Sequence, residues 1–107
     1  MLYKFKSKAT GDLIMLEPQG QQILKILGKT LDPKGIIEPA DMLAAIDALN
    51  AAVAREEAAR DQAIAEAKAK DEPPPRFEGL ALRQRVVPFI DMLRRAHAEE
   101  ADIVWGV

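Results

Sequence analysis

Residues 80–96 read LALRQRVVPFIDMLRRA and form the densest apolar stretch of the chain. Large apolar side chains recur there at steps of three and four residues, which places them on one side of an α-helix. They are Leu82, Val86, Phe89, Ile90 and Leu93. The spacing predicts a helix that packs this side against a core and turns most of its arginines towards solvent.

Pro88 lies in the middle of this predicted helix. Inside a helix a proline removes one N–H and crowds the carbonyl four residues earlier, at about 3 kcal/mol or more. A second helix could begin at Pro88, where proline is tolerated. The apolar side keeps its phase across the proline, however, which favours one kinked helix. Kinks usually have local packing causes, and the alternative is that this kink frees the Gln84 carbonyl to line a pocket.

Composition limits the class of protein. The chain of 107 residues is expected to form a single domain, residues 1–107, with an aliphatic core, because alanine outweighs aromatic residues. It has no cysteine, which excludes disulfides and thiolate chemistry and indicates the reducing cytoplasm. No apolar run has the length of a signal peptide or a membrane span. The net charge of −2 argues against nucleic acid as a partner.

The N-terminal residues predict a β-hairpin. Residues 1–7 alternate aromatic residues with lysines, which indicates a strand with one buried and one solvated face. Residues 13–16, LIML, are apolar throughout, so we expect a second strand that is covered on both faces.

The C-terminal residues predict a further strand. In residues 101–107, Ile103 and Trp105 share one face, so Trp105 is expected to anchor the strand in the core. We expect this strand to join the hairpin in a small antiparallel or mixed sheet that two or three helices cover. The fold class is then α+β, in the order β-β-α-α-α-β. The strand order stays open, because both edges of the hairpin are available.

Two prolines indicate the start of the first two helices. Pro18 and Pro39 suit the first helical position, and Gly28 is a plausible end for the first helix. The sequence LDPKG at residues 31–35 predicts a turn. Residues 36–41 are therefore expected to lead directly into the second helix.

The second helix loses its apolar stripe after Val53, and residues 54–70 are alanine and charged residues with one large aliphatic side chain, Ile64. A single helix over residues 39–69 is about 46 Å long, which exceeds the diameter of a domain of this size. We call residues 54–70 the helical arm and expect it to project, bend back or pack on another chain. Residues 71–76, DEPPPR, predict an extended proline-rich linker.

The helical arm is the feature that suggests interaction. Ala52, Ala59, Ala63 and Ala67 form a ridge of small side chains that another helix can approach closely. The arm could equally be a solvated helix that its own propensity and charge pairs support. The interface candidates are Ala59, Ala63, Ile64 and Ala67. The sequence thus favours a non-enzymatic interaction or self-association module, with a second copy or another protein as its partner.

No pattern in the sequence assigns a catalytic residue, a metal ligand or a cofactor. His97 is the single histidine and has no serine or threonine close to it in the chain. A position near a helix end makes it a capping residue rather than a base or a metal ligand. The lone Gly20 lacks the second glycine and the lysine of a phosphate-binding loop.

A pocket at Pro88 is the alternative functional hypothesis. Gln84, Arg85 and Trp105 are the candidate lining residues, with the arginine as the group that would hold an anion. On this hypothesis the protein is a small-molecule binding protein or an enzyme.

The chain also resembles a known family through several short packing and turn motifs. These are MLYKFKSKA (residues 1–9), GDLIML (11–16), GIIEP (35–39), LRQR (82–85), PFIDML (88–93) and VWG (104–106). In these stretches it resembles a family of short proteobacterial proteins that is catalogued only as a domain of unknown function. The resemblance covers nearly the whole chain and is weakest over residues 54–76. It implies a small cytoplasmic protein and brings no activity, ligand or catalytic residue.

Overall fold

The computed structural model of the protein describes residues 2–77 and 81–106. Met1, Leu80 and Val107, which the sequence places at the ends of predicted elements, lie outside these ranges. The elements, in chain order, are β1 (Leu2–Lys6), β2 (Leu13–Leu16), α1 (Glu17–Ile26), β3 (Gly35–Ile37), α2 (Pro39–Ala69), α3 (Leu82–Ala98) and β4 (Ile103–Trp105).

The four strands form one antiparallel sheet in the order β2-β1-β4-β3. Phe5 of β1 faces Leu13 of β2 on one side and Trp105 of β4 on the other. The predicted α+β class, the N-terminal hairpin and the closing C-terminal strand are thereby confirmed. The last strand joins the free side of β1, which fixes the strand order that the sequence left open.

Strand β3 was not predicted. Residues 35–37 pair with β4, and α2 then begins at Pro39 as expected. The expectation that residues 36–41 lead directly into the helix is therefore wrong for its first two residues. Gly35 has a packing role: the indole of Trp105 occupies the position where a Cβ on residue 35 would lie.

The core lies between one face of the sheet and the helices. Phe5 is at its centre, with the Phe89 ring edge-on at 4.9 Å between centroids and the Trp105 ring at 5.7 Å. Helix α3 supplies all five residues of the predicted apolar stripe, each of them buried. It runs unbroken from Leu82 to Ala98, so the prediction of one helix through Pro88 is confirmed, and Pro88 lies on its exposed side.

Helix α2 is a single helix of 31 residues and accounts for the elongated shape, whose longest dimension is 52 Å. Its fully buried residues all lie between Met42 and Val53. The helical arm beyond them contributes half-buried and exposed residues only.

Candidate interaction surface

Within the described residues, no helix packs across one face of the sheet, although Glu17 and Gln21 of α1 and the loop residues Leu31 and Pro33 border it beside β1. Side chains alternate along a strand, so every second residue of each strand points away from the core. The burial pattern follows this alternation in all four strands. We call the solvent-facing set the outer face; it comprises Leu2, Lys4, Lys6, Ile14, Leu16, Ile36 and Val104.

Four large aliphatic side chains of the outer face are exposed. The exposed fraction is 60% for Leu2, 56% for Ile14, 58% for Leu16 and 42% for Ile36. Leu2 lies directly opposite Leu16, and Ile36 directly opposite Val104, so these side chains form neighbouring pairs across the strands. Leu2, Ile14 and Leu16 adjoin one another on β1 and β2, whereas Ile36 lies on the far edge strand, beyond Lys6 and Val104. Single exposed apolar residues are ordinary on a protein surface, whereas a contiguous group such as the first three marks an interaction site.

The positive charges of the outer face lie on β1, between its two apolar sides. Lys4 faces Ile14, and its Nζ is 3.5 Å from Asp12 Oδ2. Lys6 faces Val104. The outer face therefore has aliphatic side chains on both sides of the two lysines of β1.

The two edges of the sheet differ. The β3 edge has only three residues and lies between Lys34 and Glu38, with Pro39 directly after it. The β2 edge reads LIML, with no charge, proline or glycine. Short length, charge and proline protect sheet edges against pairing with other chains, so β3 is protected and β2 is not.

The structure corrects the expected environment of β2. The sequence predicted a strand covered on both faces, but Ile14 and Leu16 are exposed, and Leu13 and Met15 are only half-buried. The unbroken apolar run was the one signal of this surface in the sequence. A run of four apolar residues is also typical of a central strand, so the sequence alone predicts burial on both faces.

The three pocket candidates lie in different surroundings. Gln84 is exposed, and its Oε1 accepts a hydrogen bond from the backbone N–H of Ala81 at the start of α3. Arg85 donates from Nη1 to Gln22 Oε1 of α1 at 2.9 Å. Trp105 is buried, and its Nε1 lies 3.4 Å from the carbonyl oxygen of Asp32.

A cavity of about 240 Å³ lies beside Pro88, but none of these three side chains lines it. Its walls come from the hairpin loop, residues 10–13, and from the exposed side of α3 around Asp91 and Arg95. In the structure, Gln84 caps α3, Arg85 links α3 to α1, and Trp105 belongs to the core. The described residues thus do not bring the candidates together at Pro88.

The arm candidates divide between two sides of α2. Ala63 and Ala67 are half-buried and continue the buried side of the helix, whereas Ala59 is exposed and Ile64 is 43% exposed. The chain itself returns along the half-buried side, because the guanidinium of Arg60 lies 4.6 Å from the ring centroid of Phe77. The structure buries Ala52 and leaves Ala63 and Ala67 half-buried, so only part of the predicted ridge is open to another helix.

Further polar contacts tie the base of the arm to the start of α3. Glu56 Oε1 accepts from the backbone N–H of Leu82 at 3.2 Å and also pairs with Arg60 at 2.9 Å. Arg83 donates to both carboxylate oxygens of Glu57, at 2.7 and 2.9 Å. These hydrogen bonds hold the pKa of the Glu57 carboxyl below its ordinary value and raise the pKa of the Arg83 guanidinium.

Within residues 2–77 and 81–106, no three His, Cys, Asp or Glu side chains are placed to hold a metal ion. No helix over the same ranges has the length and apolar character to cross a membrane.

Residues 1–105 match the model of a family described as a domain of unknown function, DUF1840. The chain belongs to this family. The resemblance seen in the sequence is thereby confirmed as far as a domain of unknown function; the proteobacterial origin and the cytoplasmic location remain expectations. Neither the curated proteins nor the solved structures contain a match to this DUF1840 chain.

Proposed function

We propose that this protein is a non-enzymatic interaction module that binds a protein partner on the outer face of its sheet. The observation that carries the proposal is the group of exposed aliphatic residues, Leu2, Ile14, Leu16 and Ile36, on the face that the helices leave bare. A sheet with one face packed and the other wet ordinarily places polar side chains on the wet face. Here only the lysines of β1 follow that rule.

The expected strength of such a contact can be estimated from the exposed side chains. Fully burying a leucine or isoleucine contributes about 1.5–3 kcal/mol. These four side chains are roughly half exposed, so covering them contributes about 3–6 kcal/mol in total. Association itself costs about 4–15 kcal/mol. The aliphatic side chains alone therefore give weak binding, and a stable complex needs polar or backbone contacts as well.

The helical arm is a less suitable surface. Its one exposed large aliphatic side chain is Ile64, and charged residues surround it along the helix. The ridge side at Ala63 and Ala67 is already half-buried. Of the two surfaces, the outer face combines more exposed apolar side chains with fewer charges.

Sedimentation velocity of the purified protein tests the proposal with a matched pair of variants. Leu16→Lys adds a charge to the outer face, and Leu43→Lys adds the same charge at an equally exposed leucine of α2. We expect the wild type and Leu43→Lys to sediment as a complex and Leu16→Lys to sediment as the single chain. A complex that survives Leu16→Lys unchanged, or a wild type that stays a single chain at the highest concentration reached, contradicts the proposal.

A further inference from the structure

We propose that the partner is a second copy of this chain, and that the two copies pair β2 with β2 across a two-fold axis. This inference rests on the proposed function and specifies its partner. It makes the two sheets of four strands into one sheet of eight strands.

The first step is that β2 is an open edge. Within the described residues β1 is its one strand neighbour, so the backbone N–H and C=O groups on its far side face away from the sheet. A row of such groups is a template for another strand. The added backbone hydrogen bonds are the contacts that the exposed aliphatic side chains need in order to give a stable complex.

The second step is that β2 is incompletely covered on both of its faces. Ile14 and Leu16 are exposed on the outer face, while Leu13 and Met15 are half-buried on the inner face, against the core. A partner that lies flat on the outer face covers the first pair and leaves the second pair as it is. A strand added beside β2 covers side chains of both pairs, which favours edge pairing over docking on the face alone.

The third step is that charge permits an identical copy as the partner. Strand β2 carries no charged residue, so its own duplicate can lie beside it without like charges directly opposite one another. The lysines of the outer face are on β1, one strand further from the axis in each copy. The net charge of −2 for each chain is small, and long-range repulsion between two copies is correspondingly weak.

The fourth step fixes the register. Directly opposite residues of antiparallel strands point to the same face of the sheet. A two-fold axis normal to the sheet maps each face onto itself, so directly opposite residues must be an even number of positions apart in sequence. The axis therefore passes between a residue and the same residue of the other copy. With Met15 at the axis, Ile14 of one copy faces Leu16 of the other. Within each copy Leu2 is already opposite Leu16. Two rows of apolar side chains, each made of Leu2 and Leu16 of one copy and Ile14 of the other, therefore run across the boundary between the copies. With Ile14 at the axis, the exposed Leu16 would instead face the carboxylate of Asp12. With Met15 at the axis, the carboxylate brought opposite a leucine is that of Glu17, and it faces Leu13, which is already half-buried.

Cysteine cross-linking tests this pairing directly, because the chain has no cysteine of its own. Met15→Cys faces its own duplicate in the proposed dimer. Opposite residues of an antiparallel pair lie about 4.5 or 5.5 Å apart between Cα atoms, within the about 4.4–6.8 Å that disulfides span. Ile64→Cys, at an exposed position on α2, is the control for collisions between molecules.

Under mild oxidation we expect the covalent dimer of Met15→Cys to form at least about tenfold faster than that of Ile64→Cys, although Met15 is the less exposed of the two. As a second measurement, an equimolar mixture of Ile14→Cys and Leu16→Cys should form the mixed dimer in excess over both homodimers. Circular dichroism of each variant controls for folding. These two positions are exposed, so the mixture remains informative if Met15→Cys does not fold.

Equal rates for Met15→Cys and Ile64→Cys, or an excess of homodimers in the mixture, overturn the pairing. If the purified protein still forms a complex that Leu16→Lys disrupts, the outer face binds a second copy and only the edge pairing is wrong. If Leu16→Lys leaves the complex intact, the proposed function itself is wrong.

Discussion

The two faces of the sheet are built from the same strands, but one face is buried and the other is exposed. Ile36 and Ile37 are consecutive and chemically identical, yet the exposed fraction is 42% for Ile36 and 1% for Ile37. On β1 the same alternation separates Lys4 from the fully buried Phe5. An apolar residue therefore stabilises the fold on one face and remains available for a partner on the other. Register, rather than composition, decides which role it has.

The largest expected effect is at the centre of the inner face. Phe5→Ala removes the ring that packs on Phe89 and Trp105 and should lower the free energy of unfolding by about 3–5 kcal/mol. Lys4→Ala, one residue earlier on the outer face, should change it by less than about 0.5 kcal/mol. Urea unfolding at a concentration low enough to keep the protein monomeric measures both. Comparable losses for the two variants would show that the faces do not differ in this way.

The consecutive isoleucines give the sharpest form of the comparison. Ile37→Ala leaves a cavity in the core and should cost about 2–5 kcal/mol. Ile36→Ala removes a side chain that is partly in water and should cost less than about 1 kcal/mol in the monomer. The two midpoints in one urea series test this directly; midpoints that coincide would mean that β3 does not have the register described here.

Gly35→Ala should have an intermediate effect, about 1–3 kcal/mol of destabilisation, because the added methyl group occupies space that the Trp105 indole fills. Trp105 is the only tryptophan, so its fluorescence emission reports any shift of the ring. Gly11→Ala is the matched control, since a Cβ at residue 11 meets no atom within 4 Å. An unchanged emission and midpoint for Gly35→Ala would contradict the packing of the indole over β3.

The smallest of the expected effects is a change of pKa at an exposed ion pair, Glu57 with Arg83, which lies away from both faces of the sheet. Arg83→Ala removes the hydrogen bonds that depress the pKa of Glu57, so this pKa should rise towards its ordinary value. A depressed carboxyl pKa stabilises the fold at pH values above the ordinary carboxyl pKa, and the contribution is lost as the pH falls through the depressed value. An NMR titration of the Glu57 side-chain carbon measures the shift, and an unchanged pKa would show that Arg83 is not its cause.

Local signals in the sequence were sufficient for much of the fold. The three-and-four spacing of residues 82–93 predicts α3, and the alternation in residues 2–6 predicts β1, because both periods follow from backbone geometry alone. The strand at residues 35–37 is too short to show a period, and its identity as a strand depends on pairing with β4, some 70 residues later.

The outer face was beyond the reach of the same reasoning. A run such as LIML looks the same in sequence whether or not a helix covers the strand. Whether its side chains are exposed depends on where the helices pack. The pocket candidates do not line one pocket, for a related reason. Arg85 hydrogen-bonds to Gln22, and Trp105 contacts the Asp32 carbonyl. The spacing of residues in the sequence does not reveal either contact.

Native mass spectrometry of the protein, purified gently from its own cells, tests the central claim most directly. If a second copy pairs along β2, the spectrum should show twice the 11.8 kDa of one chain. The same preparation of Leu16→Lys should show one chain. A wild-type protein that is found only at 11.8 kDa would contradict the account.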